Sequence, residues 1–123
     1  MRLHDMYTPV LFTADVTTTL AEAAREMEKA DVGSLAVFAT DRLVGIVTER
    51  DLVRALARER RPDQAAIGPY VSTELETADV EEDSRKVARR MLDLGVRHLP
   101  VLKSGELVGM VSMRDLMTVE VWG

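Results

Sequence analysis

The chain of 123 residues contains no cysteine, only 4% aromatic residues and no excess of positive charge. Without cysteine it forms no disulfide, no thiolate nucleophile and no thiolate metal site. Its 16 lysines and arginines are outnumbered by 21 aspartates and glutamates, which argues against binding along a nucleic-acid backbone. No apolar run approaches the roughly 20 residues of a membrane-spanning helix, and the first residues lack a signal-peptide core. These absences predict a cytoplasmic protein with neither DNA nor a membrane as a partner.

The second half of the chain repeats the first. The string TADV occurs at residues 13–16 and again at 77–80, and a shift of 64 residues keeps the copies aligned without a gap from Thr13 to Leu52. Of those 40 positions, 17 are identical. Two copies are too few for a solenoid and favour one pseudo-symmetric module. The predicted organisation is a first unit, a linker and a second unit, at residues 3–58, 59–66 and 67–120.

Each copy shows the same succession of predicted elements. In the first copy, Thr19 and Glu22 fit the capping box that begins a helix. The residues at helical spacing that predict its buried face are Leu20, Ala23, Ala24 and Met27. In the second copy Asp83 takes the cap position, and Gly95 suits a left-handed C-terminal cap. Two short apolar runs then predict a β-hairpin, with Gly105 in the second copy's turn.

A second helix closes each copy, over ERDLVRALARER in the first and MRDLMTVEVW in the second. The order strand, helix, strand, strand, helix predicts an α/β (α+β) fold. Because two helices cover only one face of a three-stranded sheet, we expect the two copies to pack sheet to sheet.

The string GIVTERDL of the first copy recurs as GMVSMRDL in the second. One interpretation is structural, because Thr48 with Asp51, and Ser112 with Asp115, both fit a capping box at the start of a helix. The glycine of each string then lets the strand bend or a neighbouring segment approach.

The same strings also fit a nucleotide site. A turn from strand to helix places a hydroxyl, a carboxylate and free backbone amides around one opening, and a helix N-terminus favours an anion. An aspartate can accept hydrogen bonds from the vicinal hydroxyls of a ribose. Arg50 and Arg114, each next to the aspartate, offer a planar fork suited to phosphate. The two interpretations are compatible, since a residue can cap a helix and still face a ligand.

These strings, and the segments around them, resemble a tandem pair of CBS domains, the module named after cystathionine β-synthase, in the form of a stand-alone Bateman module. The family hallmark is a glycine, two apolar residues, Thr or Ser, two spacers and Asp, after an apolar Pro-Val strand. The resemblance implies two symmetric clefts between the copies, where AMP, ADP, ATP or S-adenosylmethionine binds as a regulatory ligand. The implied ligand-binding residues are Thr13, Ala14, Ser34, Leu35, Ala36, Thr48, Arg50 and Asp51 in the first copy, and Thr77, Ala78, His98, Leu99, Pro100, Ser112, Arg114 and Asp115 in the second.

The resemblance implies that each motif aspartate binds the ribose hydroxyls and that the residues on the first two strands line an adenine pocket. The copies depart from the family pattern in different ways. The usual proline of the hairpin strand is Pro100 in the second copy but Ala36 in the first, and the glycine of the second turn has no counterpart. The methionine often found near the start of a unit is Met6 in the first copy but Tyr70 in the second. Together these departures predict two unequal sites.

The sequence and the resemblance together predict a regulatory module that is not an enzyme, requires no cofactor, and signals by conformational change as a homodimer, with a protein partner that neither identifies. His4, expected to be exposed, lies far from His98, so no metal-ligand spacing exists. Apolar residues of the second copy, among them Met117 and Trp122, are expected in a core or a dimer face. Two alternatives stay open: a ligand-free dimerisation module whose motif residues are only caps, and a small enzyme acting on a nucleotide.

Overall fold

The chain forms two compact units. A computed structural model describes residues 1–3, 6–9, 11–73 and 76–122, the last four by main chain only. The first unit is Phe12–Glu74, and the second unit is Leu75–Gly123 together with Met1–Leu11. The exposure predicted for His4 and the packing role predicted for the side chain of Trp122 lie outside the described residues.

Each unit contains a three-stranded sheet and two helices. The elements of the first unit are β1 (Thr13–Asp15), α1 (Leu20–Ala30), β2 (Ser34–Ala39), β3 (Arg42–Thr48) and α2 (Glu49–Leu56). Those of the second unit are β4 (Ala78–Asp79), α3 (Ser84–Leu94), β5 (His98–Lys103), β6 (Glu106–Ser112) and α4 (Met113–Trp122). In both sheets the middle strand pairs parallel with the first strand and antiparallel with the third. The predicted α+β pattern is confirmed, although α2 ends before the last residues of its predicted helix.

The start of α1 is fixed by side chains as the sequence predicts. The Thr19 hydroxyl accepts a hydrogen bond from the amide of Glu22 at 3.1 Å, and the Glu22 carboxylate accepts one from the amide of Thr19 at 3.1 Å. The helix buries Leu20, Ala23 and Met27. Ala24 is exposed, so its predicted place on the buried face is wrong, because the neighbouring elements cover only a narrow stripe of the helix.

The start of α3 uses a different contact. Asp83 is the N-cap residue, as predicted, but its side chain makes no capping hydrogen bond. Its carboxylate instead accepts a hydrogen bond from the N-terminal ammonium of Met1 at 3.0 Å, and this bond lowers the pKa of Asp83. The left-handed cap predicted at Gly95 is confirmed, with φ 70°, and Gly105 lies in the predicted hairpin turn with φ 80°.

Each unit also contains the segment that precedes the other unit's repeat. Thr8 and Met110 exchange two backbone hydrogen bonds, of 2.9 and 3.2 Å, in the second unit. Ser72 and Ile46 exchange two, of 2.9 and 3.1 Å, in the first unit. The repeat boundaries read from the sequence therefore differ from the bounds of the compact units.

The exchanged segments contribute to the buried cores. The core of the first unit contains Leu20, Ala23, Met27, Leu35, Val37, Val47, Leu52, Ala55 and Ile67. The core of the second unit contains Leu3, Met6, Ala78, Val80, Val87, Met91, Leu99, Val101, Val111 and Leu116. Across the described residues, no helix has both the length and the apolar character needed to cross a membrane.

Candidate functional site

The repeated string forms a closed hydrogen-bonded ring where β3 meets α2. The amide of Thr48 donates to Oδ2 of Asp51 at 2.9 Å, and the amide of Asp51 donates to the Thr48 hydroxyl at 3.2 Å. The Thr48 hydroxyl in turn donates to the same Oδ2 at 3.0 Å. The capping box is therefore formed, which confirms the structural interpretation of this string in the first unit.

The second unit repeats this geometry where β6 meets α4. The amide of Ser112 donates to Oδ2 of Asp115 at 2.9 Å, and the amide of Asp115 donates to the Ser112 hydroxyl at 3.0 Å. Both residues are half-buried, as are Thr48 and Asp51 in the first unit. The two motif sites thus share one local structure.

The cap uses only one oxygen of each aspartate. Every hydrogen bond that Asp51 and Asp115 accept within the described residues goes to Oδ2. Each Oδ1 therefore keeps its acceptor capacity, at the positive end of a helix. A carboxylate oxygen of this kind can accept hydrogen bonds from a ligand hydroxyl without loss of the cap.

The motif glycines make room for the exchanged segments. A Cβ at Gly45 would overlap the carbonyl group of Ser72 and lie 2.8 Å from the side chain of Val71. A Cβ at Gly109 would overlap the carbonyl oxygen of Thr8 and lie 2.6 Å from the ring of Tyr7. The close approach that the structural interpretation expects of these glycines is confirmed.

In the first unit, some of the other predicted site residues lie near the motif and others are covered. Ser34 is the register partner of Thr48, so it lies at the same end of the sheet. Thr13 pairs with Ala36 one step further along the sheet. Thr13 and Arg50 are exposed and Ala14 is half-buried, whereas Ser34, Leu35 and Ala36 are buried. A ligand at this end of the sheet would therefore meet Leu35 and Ala36 through their main chain.

The second unit places its residues in the same way. His98 is the register partner of Ser112 and is half-buried. Thr77 lies just before β4 and is half-buried, and Arg114 is exposed. The buried members of the predicted set are Ala78, Leu99 and Pro100. The structure thus brings the hydroxyl and aspartate motif and the start of the middle strand to one end of each sheet.

The family profile of the CBS domain matches residues 3–58 and 67–121. The chain belongs to the CBS-domain family. An uncharacterised 17.7 kDa protein of Acidianus ambivalens is 35% identical over 117 residues, which cover 94% of this chain and 70% of that protein. A candidate signal-transduction protein with CBS domains from Burkholderia ambifaria matches with a TM-score of 0.93 at 23% identity, over 99% of this chain and 95% of that one.

The CBS domain pair of protein MJ0100 matches with a TM-score of 0.87 at 24% identity, over 99% of this chain and 97% of that one. Its crystal structure is a complex with methylthioadenosine and S-adenosylmethionine. At these identities the two solved structures support the CBS fold of this chain.

One contact beside the predicted site of the second CBS unit was missed from the sequence. Nη2 of Arg90 donates to the carbonyl oxygen of Thr77 at 2.9 Å and to the Glu82 carboxylate at 2.8 Å. The corresponding residue of the first CBS unit is Glu26, which is exposed and carries the opposite charge. This charge reversal is visible when the two repeats are aligned, and it is the sequence feature that could have indicated the Arg90 contact.

The aspartates of the two TADV strings have a local structural role. Oδ1 of Asp15 accepts hydrogen bonds from the amide and hydroxyl of Thr17, at 2.9 and 2.8 Å, and these bonds lower the pKa of Asp15. Oδ1 of Asp79 accepts one from the amide of Glu81 at 2.9 Å. Each aspartate therefore stabilises the turn that follows its strand. Over the described part of the chain, no group of three metal-ligating side chains comes together.

Proposed function

We propose that this CBS protein is a non-enzymatic regulatory module that binds an adenosine-containing ligand beside its hydroxyl and aspartate motifs. The observation that carries the proposal is the unused Oδ1 atom of Asp51 and of Asp115, since all of their described bonds go to Oδ2. A carboxylate oxygen in this position suits the vicinal hydroxyls of a ribose.

The surroundings of each motif fit the rest of such a ligand. A helix begins beside each motif and favours a negatively charged group there. Arg50 and Arg114 are exposed next to the aspartates and can approach a phosphate or a carboxylate. The domain pair of MJ0100 supports the ligand class, because both of its bound molecules contain adenosine. Among AMP, ADP, ATP and S-adenosylmethionine, the ligand itself stays a prediction, as does its position relative to the two units.

The signalling step follows from linkage between binding and conformation. A ligand shifts the balance between two arrangements of the protein only by its different affinity for them. A homodimer is part of the proposal, because apolar side chains are exposed on the last helix of each unit. They are Val53 and Leu56 on α2 and Met117 on α4. We propose that a partner protein responds to the ligand-bound form.

The alternative with structural support is a ligand-free dimerisation module. The capping boxes are complete without any ligand, so the motif residues already have a role in stability. In that case Asp51→Ala costs about 1 kcal/mol through loss of the cap and changes no ligand response. An enzyme acting on a nucleotide is less supported, because beyond His98 and the motif aspartates the sites offer no evident base or nucleophile.

Thermal unfolding with saturating AMP, ADP, ATP and S-adenosylmethionine tests the proposal. A ligand at 100 times its Kd adds about 2.7 kcal/mol, which raises the Tm by several degrees. The increase should disappear in the double variant that combines Asp51→Asn with Asp115→Asn, because asparagine keeps an acceptor for the cap but loses the charge. Asp93→Ala, which removes an exposed carboxylate from α3, should respond like the unmodified protein. If none of the four ligands raises the Tm, the ligand-free module is the better description.

A further inference from the structure

The two units differ at the first strand of their sheets. In the first unit the amide of Ala36 donates to the carbonyl oxygen of Phe12 at 3.0 Å. The corresponding residue of the second unit is Pro100, which has no amide hydrogen to donate. The carbonyl of Glu76, which corresponds to Phe12, therefore has no partner on β5. In agreement with this, β1 has three residues in the ladder and β4 has two.

The carbonyl of Glu76 is open in the second unit. Within the described residues it receives no hydrogen bond. The carbonyl of the neighbouring Thr77, by contrast, accepts a hydrogen bond from Nη2 of Arg90 at 2.9 Å. Glu76 is also exposed, so solvent or a ligand can reach it. The second unit thus has a free main-chain acceptor beside β4. In the first unit the equivalent acceptor, the Phe12 carbonyl, is already bonded to the amide of Ala36.

This acceptor lies across the sheet from the motif of the same unit. The strand order is β4, β5, β6, and neighbouring strands are about 4.8 Å apart, so the outer strands are separated by about 10 Å. Ser112 ends β6 beside the start of β5, at the same end of the sheet as Glu76. A nucleoside can bridge such a distance, with a hydrogen-bond donor on its base and two hydroxyls on its ribose.

We propose that the second unit holds the adenosine ligand and that the first unit does not, with Pro100 and Ala36 as the residues that decide between them. The Glu76 carbonyl accepts a hydrogen from the exocyclic amino group of adenine, while Asp115 holds the ribose. The inference rests on the proposed function for the ligand class. It adds a specificity, because hypoxanthine has an oxygen in place of that amino group and meets the carbonyl with a second acceptor.

Calorimetric titration with AMP, ATP and S-adenosylmethionine tests this assignment. We expect one equivalent of ligand per chain, strongly weakened in Asp115→Asn and unchanged in Asp93→Ala, which removes an exposed carboxylate from α3. Pro100→Ala restores an amide that can donate to the Glu76 carbonyl in place of the ligand. The Kd of the adenosine ligand for this variant should therefore rise about 10-fold, the upper range for one hydrogen bond. IMP or ITP should bind at least about 10-fold more weakly than AMP or ATP for the same reason.

The reciprocal variant Ala36→Pro opens the Phe12 carbonyl and should add a second, weaker equivalent. Circular dichroism shows whether Ala36→Pro is folded, and if it is not, Pro100→Ala and the inosine nucleotides decide. Two equivalents in the unmodified protein, loss in Asp51→Asn alone, or an unchanged Kd in Pro100→Ala would overturn the assignment but leave the proposed function standing. Absence of binding by all of the adenosine ligands overturns the proposed function itself, and this assignment with it.

Discussion

The two CBS units share one motif geometry and differ in what surrounds it. The hydroxyl and aspartate caps of Thr48 with Asp51 and of Ser112 with Asp115 agree in their backbone bonds to within a few tenths of an ångström. The first strands are held differently, by the amide of Ala36 in one unit and by the side chain of Arg90 in the other. A complete motif therefore identifies a CBS unit without showing that it binds a ligand. The contacts of the first strand, β1 or β4, are what differ between the two units.

The first helices of the two units, α1 and α3, also differ at their ends. After α1 the chain turns at Asp31 with φ 55°, and after α3 it turns at Gly95 with φ 70°. The start of α1 has a complete capping box, whereas the N-cap side chain of α3 bonds to the N-terminal ammonium. The first helix of a unit thus has a capping box at its start in the first unit and a glycine at its left-handed C-terminal cap in the second.

The largest expected effect comes from a feature that the two units share, the motif glycine. In Gly45→Ala the new Cβ meets two main-chain atoms of Ser72, and in Gly109→Ala it meets one main-chain atom of Thr8 and the ring of Tyr7. Since main-chain atoms cannot rotate away, both variants should lose about 3 kcal/mol of stability, with the larger loss for Gly45→Ala. Urea unfolding of the two variants measures the difference.

Gly68→Ala is the matched control for these glycine variants. Its Cβ would lie 3.2 Å from the carbonyl oxygen of Val16, a tight contact that a small adjustment relieves. We expect a loss below about 1 kcal/mol. If Gly45→Ala and Gly109→Ala cost no more than this control, the exchanged segments do not pack closely enough to require glycine in the motif.

The sequence predicted the local parts of this structure well. The capping boxes at Thr19 and Thr48, the left-handed Gly95 and the hairpin turn at Gly105 each depend on residues within a few positions of each other. Such features are fixed by backbone conformation and by short-range hydrogen bonds, so one stretch of sequence contains all the necessary information. The internal repeat then extended each prediction from one copy to the other.

The parts that the sequence did not predict depend on distant contacts. The pairing of Thr8 with Met110, and of Ser72 with Ile46, exchanges segments between the repeats, and no local pattern distinguishes this from pairing within a repeat. The bond from Arg90 to Thr77 joins a helix to the strand before it, and only the charge reversal against Glu26 indicated it. For the candidate site, the sequence predicted the motif residues. The open carbonyl of Glu76 was not predicted, because it depends on how β4 pairs with β5.

A smaller effect of opposite sign in the two units is expected at the helix ends. Gly95→Ala places a Cβ in open space but in a left-handed conformation, so it should lose about 1 kcal/mol. Asp31→Gly relieves the same conformation and should gain about 0.5 kcal/mol, reduced by the greater freedom of glycine in the unfolded chain. Thermal or urea unfolding gives both values. A loss in Asp31→Gly would mean that contacts of the Asp31 side chain outweigh the backbone conformation.

The smallest expected effect is the acid sensitivity of the capping box at the start of α1, which α3 lacks. Hydrogen bonds from Thr19 hold the pKa of Glu22 below its ordinary value, whereas the second unit has Lys86 at this position. Because the folded state binds this proton more weakly than the unfolded state, the cap contributes stability above the unfolded pKa. That contribution is lost as the pH falls below about 4.5 and through the folded pKa.

Glu22→Gln keeps an acceptor for the cap but removes the titration, so its Tm should fall less steeply than that of the unmodified protein between about pH 5 and about pH 3. Glu26→Gln removes the same charge from an exposed position of α1 and serves as the control. Asp15 and Asp83 keep their lowered pKa values in all three proteins, so part of the acid loss should remain in each. If Glu22→Gln loses stability as steeply as Glu26→Gln, the capping carboxylate of α1 contributes nothing to the pH dependence.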